Sequence, residues 1–179
     1  MTFSVRTKLF LVSIALIAAS MGSADAYLTP TIANHLTERI RADLLVRARL
    51  VAREAAASPA PLAPTEPSWD ALARALGKTA NGRVTFIASD GVVVGDSEVP
   101  AADLPRLENH ASRPEVRDAL ATGEGEAERL STTVQQPMVY AAVRFERGGV
   151  VAGVARVAEL LSEVEAARAD MRRLIWIGS

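Results

Sequence analysis

The sequence predicts an α+β fold, in which one five-stranded antiparallel sheet has helices on one face and a long helix at each end. Three observations carry this prediction. Between Arg83 and Ala158 apolar residues alternate with a period of two in five short stretches separated by turn residues. On either side of that core the apolar spacing changes to steps of three and four, the period of an amphipathic helix. Between the second and third strands lies a stretch with a first-turn proline and helical spacing, which an ordinary sandwich does not need.

The first element is the uncharged run Leu9 to Ala24, preceded by Arg6 and Lys8. Its sixteen residues span about 24 Å as a helix, short of a hydrocarbon core of roughly 30 Å. It reads as a signal anchor over residues 9–27, lengthened by Phe3, Val5, Tyr27 and Leu28, or as a cleaved signal peptide with Ala24-Asp25-Ala26 as its small-x-small site. In both cases residues 1–8 stay in the cytoplasm with their basic charge, and the chain from about residue 28 to 173 is extracytoplasmic.

From 28 to 57 the chain has no glycine, and its one proline, Pro30, suits a helix's first turn. Ile40, Leu44, Ala48, Val51 and Ala55 recur at steps of four, four, three and four. This spacing describes a long membrane-proximal helix that packs along its own domain or, through Ile40, Leu44 and Val51, forms a dimer stalk. Residues 58–67 hold four of the nine prolines and form an extended connector. Ser68 then caps a short helix with Trp69, Leu72 and Leu76 on one face, ending near Asn81-Gly82.

The folded core covers residues 68–158. Strands are expected at Arg83 to Ser89 and Val92 to Asp96, joined at Asp90-Gly91, where glycine accepts positive φ without steric cost. A helix starting at Pro114, with Val116, Ala119 and Leu120 inward, stops at Gly123. Strands Ala127 to Val134, Met138 to Glu146 and Val150 to Ala158 follow. Two strands, a helical excursion and a three-strand meander are the order of a PAS/Cache-like sheet. Residues 159–173 resume helical spacing, with Leu160, Val164, Ala167, Met171 and Leu174 along a heptad seam. Residues 174–179 (LIWIGS) read as the start of a second membrane segment, so the chain is expected to be a fragment of a longer protein.

Composition excludes several chemistries. There is no cysteine, which removes disulfides, thiolate metal sites and a cysteine nucleophile. Two histidines cannot build a three-histidine metal site. Twenty basic against 21 acidic side chains leave a net charge of -1, unlike the basic excess that a nucleic-acid binder needs. Basic charge is almost all arginine, 18 residues against two lysines, which reads as genome composition bias. No glycine-rich phosphate loop and no GxSxG elbow are present, so no catalytic residue and no metal ligand is assigned. His35 lacks the acidic residue and nearby proline of a phosphoacceptor helix and reads as a helix-flank histidine. The acidic residues Asp90, Asp96, Glu98, Asp103 and Glu108 lack calcium-loop spacing and read as solvated turn chemistry. The most distinctive stretch is Leu107 to Val116 (LENHASRPEV). There Asn109 and His110 precede a helix start, and they either shape that turn or contact a ligand, with His110 as a pH-sensitive partner.

The succession Asp90-Gly91, Asp96-Ser97, Glu108-Asn109-His110, Arg113-Pro114-Glu115-Val116, Ala119-Leu120-Ala121, Gly123-Glu124-Gly125, Pro137-Met138, Tyr140 to Val143 and Gly153 to Val157 resembles the extracytoplasmic sensor region of phosphate-regulon-type sensor histidine kinases. The likeness covers about residues 83 to 170. It departs before Met138, where Arg129-Leu130-Ser131 and Gln135-Gln136-Pro137 stand in place of the family's Arg-Tyr-Ser pattern. The resemblance implies a homodimeric inner-membrane receptor that takes a small-molecule or periplasmic protein signal and acts on a response regulator. Its kinase part, absent from this chain, would hold the ATP and magnesium, and no cofactor is expected here. Glu108, Asn109, His110, Arg113 and Tyr140 are the candidate ligand-contacting or signal-responsive residues. A shift of the final helix against the first would carry the signal. The sensor half of a chemoreceptor or diguanylate cyclase, or a secreted binding module, shares the same architecture.

Overall fold

The computed structural model describes residues 5–64, 66–131 and 135–161. The chain divides into two units, Met1–Glu38 and Arg39–Ser179. The first consists of helix α1 (Val5–Ala57) up to Glu38. Within it Val5–Ser23 is long and apolar enough to cross a membrane, and Leu9, Phe10, Leu16 and Ile17 are exposed. The sequence suggests a membrane segment and then a new helix starting near Pro30; instead α1 continues through Pro30. An interior proline removes one backbone hydrogen bond, a cost of about 3 kcal/mol that good helix formers on both sides can absorb.

The second unit is built on a sheet of β1 (Arg83–Ala88), β2 (Val93–Asp96), β3 (Glu124–Leu130), β4 (Pro137–Arg147) and β5 (Val150–Leu160). The strand order is β2-β1-β5-β4-β3, antiparallel at every pairing. The α+β sheet is therefore as the sequence predicts. All six residues of β1 are buried, so this strand needs cover on both faces. Helix α1 and helix α2 (Pro67–Ala80) supply it on one face, and α3 (Pro114–Thr122) with the 3-10 turn Ala101–Arg106 supplies it on the other. The excursion between β2 and β3 leaves one sheet edge and rejoins at the opposite edge, which carries α3 across the second face.

On the first face Leu44, Ala48, Val51, Ala52 and Ala55 of α1 pack with Val84, Phe86, Val139, Ala141, Val157 and the fully buried Trp69. This corrects the stalk reading. Leu44 and Val51 are 1% and 2% exposed inside their own domain, so they form no dimer seam, and Ile40 is half-buried. The outward residues of this stretch are Val46 and Leu50 instead. The cap of α2 is also corrected: Glu66 is the N-cap, accepting from Ser68 N and Ser68 Oγ, while Pro67 takes the first helical position. At its other end Asn81 adopts the left-handed conformation, φ 46°, and closes the helix.

Two strand boundaries move for local reasons. Gly123, at φ +104°, ends α3 and turns the chain straight into β3, which starts at Glu124 and not at Ala127. Residues 132–134 of the expected third strand lie outside the described residues. At the far end, Glu159 pairs with Val139 and Leu160 with Met138, so β5 runs two residues further than expected. Leu160 is thus a strand residue and no longer the first position of a helical seam. Val164, Ala167, Met171 and the segment 174–179 lie outside the described residues.

Candidate functional site: a buried arginine–carboxylate cluster

The pairing register lines up Asp96, Thr85, Arg156, Ala142 and Gly125 in one row across all five strands. Residues directly opposite each other share a face. Polar groups therefore occupy one half of this row, and small residues leave room for a helix over the other half. At Gly125 a Cβ would lie 2.2 Å from the Glu115 carbonyl oxygen, so the missing side chain is what lets α3 sit on β3. The neighbouring row, Arg83, Ala158, Tyr140 and Ala127, lies on the same face.

Two carboxylates meet three arginines on this face. Asp96 is fully buried and accepts from Arg83 Nε at 3.0 Å, Thr85 Oγ1 at 2.8 Å, and the backbone N–H groups of Glu98 and Val99 at 2.9 and 3.1 Å. Glu115, also fully buried, projects from the first turn of α3 and accepts from the Arg129 guanidinium at 2.6 and 3.3 Å and from Arg156 at 3.1 Å. Arg156 also donates to Thr85 Oγ1 at 3.1 Å, while its buried Nε has no hydrogen-bond partner among the described residues. The Tyr140 ring lies against both cations, with Arg129 at 4.1 Å and Arg156 at 5.1 Å from its centroid.

The electrostatics follow from this arrangement. Burial alone raises the Glu115 carboxyl, but the Arg129 hydrogen bonds and the Arg156 charge outweigh it and hold the group below the ordinary carboxylate range. Burial pulls the Arg156 guanidinium down from its ordinary value, against the opposing pull of Glu115 and Asp96. Such a cluster is costly to break, because removing one partner leaves a buried charge uncompensated.

The predicted site residues divide. Tyr140 belongs to the cluster, and His110, 5% exposed, lies close enough to feel the charges of Arg156 and Arg129. Its backbone N–H donates to Gly91 O at 2.8 Å and its ring Nδ1 donates to Glu108 O at 2.7 Å. Burial, aided by Arg156, lowers its pKa to about 4, so the ring is neutral. Asn109 is a turn residue: its amide donates to Asp90 O and accepts from Ala111 N, both at 2.8 Å, and locks the loop onto the β1–β2 hairpin. Gly91, at φ +87°, leaves the space that Asn109 Oδ1 fills. Glu108 and Arg113 pair with each other at 2.9 Å, with Glu108 exposed.

Sequence reasoning passed over Glu115, Arg83, Thr85, Asp96, Arg129 and Arg156 as site residues. The available signal was an arginine at an inward strand position inside an apolar run, Val154-Ala155-Arg156-Val157-Ala158. Two clefts lie beside the sheet. One of ≈ 510 Å³ opens beside the end of α2 and the last residues of β5, with Arg74, Lys78, Arg83, Glu98 and Glu159 on its walls, and one of ≈ 360 Å³ lies between α1 and the β4 end. Arg83 thus connects the cluster to the first cleft, while Glu115, Arg129 and Arg156 line neither. Among the described residues no group of three or more acidic or histidine side chains could hold a metal ion.

No protein-family model matches this sequence, and no curated protein matches it. Solved structures do match in fold. The ligand-binding domain of the Campylobacter jejuni chemoreceptor Tlp3 in complex with L-valine superposes with a TM-score of 0.61 at 15% identity, covering 84% of this chain and 64% of that domain. The E. coli DcuS sensor domain gives 0.56 at 19% identity, with 70% of this chain and 95% of that one covered. The sensor domain of the V. cholerae histidine kinase DctB gives 0.52 at 21%, over 85% and 58%. The chain thus spans about two thirds of the Tlp3 domain, and its fold is that of Cache-like sensor domains.

Proposed function

We propose that this chain is the extracytoplasmic signal-sensing module of a membrane receptor, held in the inner membrane by its N-terminal apolar segment. One observation carries the reading: the helix that begins with Val5–Ser23 also supplies, from Leu44 to Ala55, the core of a sheet with sensor-domain topology. The receptor partner we favour is a two-component histidine kinase of the phosphate-regulon type, on the motif succession from Asp90-Gly91 to Gly153–Val157 and the fold shared with DcuS and DctB. ATP, magnesium and the response regulator belong to that kinase part. A chemoreceptor is the second reading, favoured by the fold shared with Tlp3 and with the Pseudomonas aeruginosa chemoreceptor PctC. In either receptor the module works as a homodimer and takes a small-molecule signal.

Reporter fusions after Leu161 in a bacterial host test the topology. Alkaline phosphatase is active and green fluorescent protein dark there, with the reverse at a fusion before Leu9. An inactive phosphatase after Leu161 overturns the proposal.

A further inference from the structure

We propose that the cleft between α1 and the end of β4 receives the C-terminal end of a partner protein's extended chain, which pairs with β4 in line with β3 and sets its terminal carboxylate among Arg49, Arg53 and Arg144. The inference rests on the sensing role proposed above and names a protein tail as a signal the module takes.

The sheet is incomplete at this corner. β4 runs to Arg147, whereas β3 begins at Glu124 opposite Val143, so from Phe145 to Arg147 β4 has a strand neighbour, β5, on one side only. Arg144 N–H donates to Gly123 O at 2.9 Å on the β3 side. Alternate residues of an antiparallel strand address alternate neighbours, so the N–H and C=O of Glu146 face that same side, where β3 no longer runs. The register shift between Phe145 and Glu146 places its extra residue, Ala152, on β5 and leaves the alternation along β4 intact. Beside this stub there is room, since a Cβ built on Gly123 would meet nothing within 4 Å. An extended chain laid here finds backbone groups to pair with, as in strand addition to a sheet edge.

The walls select a chain end. The floor is small and apolar, formed by Ala52 and Ala56 of α1 and by Phe145, and three arginines line the cleft against one acidic residue, Glu146. Arg49 is engaged with Glu124 through Nε and a terminal nitrogen, at 2.6 and 2.8 Å. Arg144 meets Glu146 at 3.3 Å and donates to Leu120 O, also at 3.3 Å, so it covers the carbonyl end of α3 that would otherwise repel an anion. Arg53 is exposed and makes no hydrogen bond or ion pair among the described residues. A guanidinium left over in this way is matched by a carboxylate. The slot is blocked at Gly123 by the chain itself as it enters β3, and is exposed at the Gly148-Gly149 hairpin. A strand entering from the hairpin side runs antiparallel to β4 and must stop at Gly123, so a terminus fits where a through-running segment does not. A volume of ≈ 360 Å³ lies at the small end of the range for binding clefts, which suits the last residues of a tail. The docked tail touches α1 directly, the helix that begins with Val5–Ser23.

The test uses the full chain in detergent and the fluorescein-labelled hexapeptide Gly-Ser-Thr-Val-Thr-Val with a free C-terminus, read by fluorescence anisotropy. Saturable binding is expected with a dissociation constant of about 1 mM or tighter, and its C-terminal amide is expected to bind at least about tenfold more weakly. Arg53→Ala, an exposed substitution that leaves the core untouched, is expected to weaken the free acid by about tenfold and the amide hardly at all. Arg117→Ala, on the outside of α3, is expected to change neither. N-methylation of the peptide at two successive backbone nitrogens, one at a time, is expected to abolish binding at one position only, because alternate residues face the strand. These peptide variants leave the protein as it is, so they read strand pairing even if a protein variant misfolds. No saturable binding, equal binding of acid and amide, equal losses in Arg53→Ala and Arg117→Ala, or equal effects of both N-methyl groups each overturn the proposal. The reporter fusions do not depend on Arg53, so a chain that passes them and fails here loses the docking site alone.

Discussion

Arg156 and His110 show how the sheet's second face converts charge into stability. Arg156→Met leaves Glu115 buried with half its partners, and a loss of about 3–5 kcal/mol is expected in urea unfolding. The double replacement Arg156→Met/Glu115→Met removes the unpaired carboxylate too and is expected to recover most of that loss, which a double-mutant cycle measures. His110 gives a pH signature. Its folded pKa of about 4 lies below the unfolded value near 6.5, so between these values the unfolded chain binds the extra proton. Stability is complete above about pH 6.5 and falls as the pH drops toward 4, by at most on the order of 3 kcal/mol. The Glu115 carboxyl, also depressed, adds a further loss at lower pH, as the pH falls through its folded value. Urea midpoints measured from pH 7 to pH 4 should fall for the native chain and stay flatter for His110→Gln.

At the scale of elements, α1 is a core helix before it is anything else. Leu44→Ala is expected to cost about 2–5 kcal/mol, while Leu50→Ala on the outward side costs no more than about 0.5 kcal/mol in the monomer. Equal small effects at both positions would restore the stalk assignment of Leu44. The loop locked by Asn109 is a second case: Asn109→Ala removes two hydrogen bonds and should cost about 1–2 kcal/mol in urea unfolding. Much of this layer was legible from the sequence. Strand-length stretches bounded by turn residues pointed to all five strands, with the start of β3 three residues late, and Asp90-Gly91 located the hairpin. What could not be read was which apolar helix face meets its own sheet, since a helix stripe looks the same whether a sheet or a second helix covers it. The arginine–carboxylate cluster was hidden for a related reason. Its members lie up to 73 positions apart and meet only through the register that aligns Asp96, Thr85 and Arg156, and no local spacing reports a register. Leu160 was misassigned because a strand that ends on Glu159-Leu160 and continues into Leu161 has the composition of a helix start.

For the whole molecule, Arg147 ties the parts together. From β4 it donates to Ala55 O at 2.9 Å and Ala60 O at 2.6 Å, and it lies 4.9 Å from the Trp69 ring centroid. Trp69 in turn donates to Pro61 O at 2.7 Å, so the end of α1, the proline connector and α2 are fastened at one point. Arg147→Lys cannot reproduce two carbonyl bonds and a stacked plane, and is expected to lose about 2–3 kcal/mol, nearly as much as Arg147→Ala. The abundance of arginine that reads as composition bias is therefore used for its geometry at several positions. The edge strand β3 has its own consequence. Glu124, Glu126 and Glu128 alternate along it, two of them meeting Arg49 and Arg41 of α1. An open strand edge is a template for another copy's strand, and charged side chains along such an edge hinder that pairing. Copies of this chain are therefore steered away from sheet-to-sheet addition at this border, and they can be crowded together without their sheets zipping into a continuous fibre.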